Sequence, residues 1–198
     1  MLYYDREAAR YDESRGGLPR AAAAADAVRA LVPSNAGIGL DVAGGTGIVG
    51  SELRRRGLAV VVVDQSIGML RYAASRLPGR AIQADATALP IADDSVDWVS
   101  TIWLLHLLSS ASVHEVIKEI ARVLRPAGRF VTTVDKDASH GRWVQPVVTD
   151  RRDDVARVAT SAGLVEESAT TFVGHGQGFD GRADPVYTLV AFTKPVAG

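Results

Sequence analysis

The chain of 198 residues contains no cysteine. That excludes disulfides, thiolate-held metals and a cysteine nucleophile. Histidine is scarce: the four present, His106, His114, His140 and His175, show neither H-x-x-x-H nor H-E-x-x-H spacing, so no metal site is predicted. An excess of one charge is also lacking. With 22 Lys+Arg against 23 Asp+Glu the net charge is −1. That builds none of the basic field that duplex DNA or an anionic membrane needs, so neither is an expected partner. No apolar run approaches the roughly 20 residues of a transmembrane helix. The alanine run Ala21–Ala25, flanked by Arg20, Asp26 and Arg29, is a helix signal and not a secretory segment, which leaves the cytoplasm as the default expectation.

What is present is an ordinary globular mixture, 47% hydrophobic and 23% charged, at a length that fits one domain with a full core. No internal repeat or linker divides it. Its most informative stretch is Gly39-Leu40-Asp41-Val42-Ala43-Gly44-Gly45-Thr46-Gly47, followed by an amphipathic run from Ile48 to Arg56. This reads as strand, tight glycine turn, helix, with glycines letting a ligand approach the backbone. Asp41 alters the chemistry. A turn aimed at a pyrophosphate would be repelled by a carboxylate, whereas Asp41 suits a ligand carrying positive charge or ammonium and hydroxyl donors.

Strand and helix signals then alternate. A helix over 20–32 stops at Pro33, and strand 37–42 is followed by helix 47–56, closed by Gly57. Leu58–Val63 is a continuous apolar strand ending at Asp64, and Ser66 caps a helix through Arg76. Short strand Ala81–Ala84 ends at Asp85, and strand Val96–Ile102 precedes helix Ser112–Leu124. Pro126-Ala127-Gly128 turns into strand Arg129–Val134; helix Asp153–Ala162 and strands near Val165–Phe172 and Val186–Phe192 complete the chain. Apolar strands alternating with helices predict an α/β fold, a parallel sheet covered on both faces, with a terminal hairpin making it mixed. Residues 1–19 read as a short helix and a loop.

Acidic residues mark the predicted strand ends: Asp41, Asp64, Asp85 and, less regularly, Asp135. Ligands of open parallel sheets bind outside those ends. A carboxylate at Asp64 can accept from vicinal ribose hydroxyls, and Asp85-Ala86 from an exocyclic adenine amine.

With these residues in place the chain resembles the class I S-adenosylmethionine-dependent methyltransferases, specifically the small-molecule group of ubiquinone/menaquinone type (methyltransferase type 11). The resembling blocks are Leu40–Gly47, Val61–Leu70, Ala84–Ile91, Asp94–Val99 and Glu119–Arg129, in the family's order. The resemblance implies a Rossmann-like doubly wound sheet of about seven strands with an antiparallel C-terminal strand. It implies a single domain over 1–198: a covering segment at 1–19, a cofactor core at 20–134, and substrate-side loops with the hairpin at 135–198. It implies S-adenosylmethionine as cofactor. In its first motif Asp41, Ala43, Gly44, Gly45 and Gly47 would hold it; in the second, Asp64, Gln65 and Met69; then Asp85, Ala86 and Ser100, with Tyr11 and Arg15 from the N-terminal segment. Alanine at 43 stands where the family usually has glycine, and Leu105-His106 replaces a pair of histidines.

Methyl transfer from a sulfonium is an in-line displacement that mainly needs alignment. His106 is the candidate general base or substrate contact. Trp103, His140, Trp143 and His175 are candidate acceptor contacts, the last three on loops 135–150 and 173–184, with Lys136, Gln145, Gln177, Phe179 and Asp180 nearby. The expected partner is a small metabolite accepting methyl on O, N or C; a homodimer is compatible with the short substrate-side segments. A non-methylating S-adenosylmethionine-binding protein shares the same cofactor site. A NAD-dependent oxidoreductase explains Asp64 but not Asp41 or Asp85-Ala86.

Overall fold

Val60 to Val63 is a β-branched run that cannot alternate between core and solvent, and it lies at the centre of strand β2 (Ala59–Asp64). Val60 and Val62 enter the core on one face of a sheet, while Val63 enters the core on the other. Burial on both faces is what an uninterrupted apolar strand requires. The computed structural model describes residues 3–136, 150–178 and 183–196.

The remaining strands are β1 (Ile38–Val42), β3 (Ala81–Gln83), β4 (Val96–Thr101), β5 (Leu124–Val134), β6 (Val165–Val173) and β7 (Val186–Thr193). They form one seven-stranded sheet in the order β3-β2-β1-β4-β5-β7-β6. Strands β1 to β5 pair in parallel, and β7 runs antiparallel to both β5 and β6. The expectation of a mostly parallel sheet ending in a hairpin is therefore borne out, and β6 points the same way as β5.

Short helices α1 (Tyr3–Glu7) and α2 (Tyr11–Ser14) precede α3 (Gly17–Leu31). With α4 (Ile48–Arg55) and α5 (Ile67–Arg76), α3 covers one face through Ala24, Val28, Leu53, Leu70 and Ala73 against Val62, Trp98 and Val131. On the other face α6 (Ser110–Val123) and α7 (Arg152–Ser161) bring Val116, Ile117, Ile120 and Val155 against Leu40, Val99 and Phe130. The Ser66 hydroxyl accepts from the Met69 amide, the N-cap its position predicted.

Several boundaries differ from the sequence reading, among them α6, which starts at Ser110 and not Ser112, and the N-terminal segment, which holds two short helices; the largest shifts are at α3 and β5. Helix α3 starts at Gly17, upstream of Pro19, because proline in a first helical turn forfeits no intrahelical hydrogen bond. Strand β5 starts at Leu124, which pairs with Val96 before the register shifts around the Pro126–Gly128 turn, where Ala127 has φ +64°. Trp103–Leu108 contains one 3-10 turn at Leu105–Leu107.

Candidate functional site

The chain order reverses on either side of β1, so the C-terminal ends of β1, β2, β3 and β4 border one crevice. Strand β1 delivers Asp41 there, and the following turn is left-handed at Ala43 (φ +58°), Gly45 (φ +57°) and Gly47 (φ +70°). Glycine is required at 44, where a Cβ would stand 2.7 Å from Asp41 Oδ2. Gly47 N-caps α4 and packs on Ala73; it shapes the turn without lining a cavity. The Gly45 amide donates to Asp64 Oδ2 at 2.9 Å, tying the turn to the end of β2.

Asp41 is 1% exposed. Ser100, buried in β4 and lining neither cavity, donates to its Oδ1 at 2.9 Å. Its Oδ2 is buried without a partner. Burial pushes this carboxyl up to about 7, the Ser100 hydrogen bond opposes the rise, and the Asp64 charge adds to it. A buried acceptor left unpaired costs about 1–3 kcal/mol, which a cationic or donor ligand would recover.

A small cavity of about 50 Å³ lies against Asp41, bordered by Tyr11, Arg15, Gly44, Thr46, Arg20 and Trp103. Arg20 is 6% exposed, and no carboxylate pairs with it among the described residues. Its guanidinium donates to the Arg15 carbonyl at 3.1 Å and stacks 3.4 Å from the Trp103 ring centroid. Burial holds its pKa below the usual arginine range. Arg20 Nε and Trp103 Nε1 are both buried without an acceptor. Trp103 sits at φ +61°, an outlier for a bulky residue, with its amide held by Thr133 Oγ1 at 2.8 Å and its ring against Phe172 and Tyr187. One orphan acceptor and two orphan donors around one cavity fit a ligand end carrying both an ammonium and a carboxylate.

A larger cavity of about 420 Å³ continues past Ala43, Gly45 and Trp103 to the ends of β2 and β3. It is bordered by Asp64, Gln65, Met69, Asp85 and Ala86, with Tyr4 and Tyr11 from the N-terminal segment and Leu107, Leu108 and Val116 opposite. Asp64 accepts from the amides of Gly45 and Ser66, the latter at 2.8 Å; burial outweighs these bonds and raises its pKa. Asp85 is exposed, and the Thr87 amide and hydroxyl at its Oδ1 hold its pKa below the usual carboxylate range.

The histidines fall elsewhere. His106, in the 3-10 turn, lines neither cavity, and its Nε2 is 2.8 Å from Lys136 Nζ. His175 lines neither cavity either; it is half exposed, 4.0 Å from Asp184. His140, Trp143, Gln145, Phe179 and Asp180 lie outside the described residues. Among the described residues no cluster of His, Cys, Asp and Glu could hold a metal, and no helix is long and apolar enough to cross a membrane.

The sequence reading missed Arg20, as it did Tyr4, Asp12 and Thr46, which also border the cavities, but Arg20 carried a signal. Its signal was spacing: positions 20, 24 and 28 share a helix face, and Ala24 and Val28 on that face are fully buried. An arginine on a buried stripe needs a reason.

Residues 40–132 match the family model described as a methyltransferase domain. Among curated relatives, the demethylmenaquinone methyltransferase of Beutenbergia cavernae is 34% identical over 137 residues, covering 65% of this chain and 56% of that relative. The chain spans less than two thirds of the length of the curated relatives it matches. The methyltransferase solved in complex with the Haloferax volcanii Trm112 methyltransferase activator superimposes with a TM-score of 0.77 at 20% identity over 99% of both chains. The CcbJ methyltransferase of Streptomyces caelestis superimposes at 0.75 with 18% identity over 98% of both. These structures share the fold.

Proposed function

Since the chain belongs to the class I S-adenosylmethionine-dependent methyltransferases of the type 11 group, we propose that it binds S-adenosylmethionine across the two joined cavities and transfers its methyl group to O, N or C of a small metabolite. The observation that carries this reading is the buried, half-partnered carboxylate of Asp41 beside two buried donors without acceptors. In this reading Asp41 receives the cofactor's ammonium and Arg20 its carboxylate. Asp64 takes the ribose hydroxyls, and Asp85 with Ala86 borders the adenine. When bound, the cofactor supplies an activated methyl on a sulfonium. The chain's own residues then have to hold that end still, exclude water and align the acceptor.

His106 is not assigned a proton-accepting role, because its Nε2 is engaged by Lys136 and its ring borders neither cavity. A nicotinamide dinucleotide is a poor fit: Asp64 would suit its ribose, but its pyrophosphate would meet the buried Asp41 carboxylate.

The test is calorimetry of the purified chain with S-adenosylmethionine, S-adenosylhomocysteine and NAD, followed by turnover over an acceptor panel. Binding of the S-adenosyl compounds alone is expected. Tight NAD binding without S-adenosyl binding would overturn the reading. S-adenosyl binding with no turnover on any acceptor would favour a non-methylating cofactor-binding protein.

A further inference from the structure

The described N-terminal residues are fastened to the cofactor loops by two aspartates. Asp5 Oδ1 accepts from the Ser66 hydroxyl at 2.6 Å and from the Gly68 amide at 2.9 Å, at the start of α5. The approach is close enough that a Cβ on Gly68 would lie 2.7 Å from Asp5 Cα. Asp12 makes the second tie. Its Oδ1 accepts from Thr46 Oγ1 at 2.6 Å and its Oδ2 from Arg76 Nη2 at 2.5 Å. Arg76 in turn donates to the Thr46 carbonyl at 2.7 Å, so the three residues close a ring around the glycine turn.

Between these ties the segment presents Tyr4 and Tyr11, packed edge-to-face with centroids 6.1 Å apart, to the larger cavity. Among its described side chains Ala8 is buried and Tyr4 and Tyr11 are partly buried, while Arg6, Arg10 and Arg15 are exposed. With one buried apolar side chain among those described, the segment leans on its polar ties, and such segments open at low free-energy cost. The ties end on residues of the site itself: Thr46 borders the small cavity, and the Ser66 amide donates to Asp64.

The family resemblance implies that the N-terminal segment covers the cofactor; we propose that Asp12 is the positioning residue that ties this strap, residues 3–16, to the glycine turn and so sets cofactor retention through Thr46 and Arg76. This rests on the reading of the cavities as an S-adenosyl site. A ligand that orders the glycine turn also orders Thr46, and thereby strengthens the Asp12 tie. Loss of the tie frees Tyr11 from both cavities and opens a path for the cofactor to leave. The consequence falls on dissociation, since the strap is a barrier to exit more than a contact made on encounter.

The experiment uses the full chain as wild type, Asp12→Asn and Arg76→Gln. Dissociation of S-adenosylhomocysteine is followed by stopped-flow displacement, and trypsin cleavage after Arg6, Arg10 and Arg15 is timed with and without that compound. Circular dichroism checks that each variant is folded. Wild type should be protected in the strap by the ligand, and both variants should lose that protection and release the ligand about tenfold faster. Arg76→Gln keeps the inference testable should Asp12→Asn fail to fold, since Arg76 lies outside both cavities. Wild type that binds S-adenosylhomocysteine without any change in strap cleavage, or folded variants with unchanged dissociation, would overturn the strap while leaving the S-adenosyl reading intact. Wild type that does not bind the compound overturns both.

Discussion

Asp41, near the end of β1, and Asp85, just after β3, stand at the same edge of one sheet with β2 between them, yet they are chemically opposite. Asp41 is buried, has one oxygen without a partner, and holds its proton to about pH 7. Asp85 is exposed, has its Oδ1 engaged by Thr87, and gives up its proton more readily than an ordinary carboxylate. The difference lies in depth. Asp41 sits in a central strand with β2 and β4 on either side and two helical layers over it, whereas Asp85 follows the three-residue edge strand β3. One end of the site is therefore electrostatically poised for a charged group, and the other is a wet, pre-satisfied rim.

The contrast can be sharpened or broken by substitution. The largest effect is expected between the two ends, at Asp64. Asp64→Ala removes the acceptor of both the Gly45 and Ser66 amides, and should weaken S-adenosylhomocysteine binding by about 100-fold or more in calorimetry. Unchanged affinity would refute the ribose assignment.

Next comes pH. Ligand ammonium binding favours ionised Asp41, so affinity should fall as pH drops below about 7, by up to tenfold per unit, and Asp41→Asn should flatten that profile. Without ligand the sign reverses. The folded state holds the Asp41 proton more tightly than the unfolded chain does. Its contribution to stability is therefore fully present at low pH and is lost as pH rises from the unfolded carboxylate range to about 7. The thermal midpoint of Asp41→Asn should lack that component.

Arg20→Met should cost about tenfold in cofactor affinity while the ligand-free melting temperature holds or rises, because a buried cation with no paired carboxylate among the described residues is replaced by an apolar chain of similar reach. A fall in melting temperature with unchanged affinity would make Arg20 a purely structural partner of Trp103. At the rim, Asp85→Asn keeps the acceptor for Thr87 and should change affinity no more than a few-fold. A loss there as large as that of Asp64→Ala would erase the contrast between the two ends. The smallest effect is expected at Ala43, whose φ of +58° disfavours a side chain: Ala43→Gly should raise stability by about 1 kcal/mol or less in denaturant titration.

Much of this was legible in advance. The order of strands and helices, the glycine turn and the acidic ends of β1 and β2 are local patterns, and the Ser66 cap appeared where its spacing placed it. Helix α3 starts at Gly17 and not at 20, because proline in a first turn is only a missing donor. His106 looked like a base because its residue type and position suited one; the neighbouring Lys136 nitrogen comes from another strand end, 30 positions away. Asp12 gave no signal, since its partners Thr46 and Arg76 lie 34 and 64 positions along the chain.

The amino-acid sequence by itself determined the alternating architecture, the sheet covered on both faces and the row of carboxylates at its strand ends. Those follow from periodicity, turn chemistry and propensity, which act between near neighbours. Tertiary structure alone decided which carboxylate is buried and which is wet, that Arg20 stacks on Trp103, and that Asp5 and Asp12 bind the N-terminal segment to α5 and to the glycine turn. Burial and long-range pairing set those properties, and both depend on how distant segments are stacked.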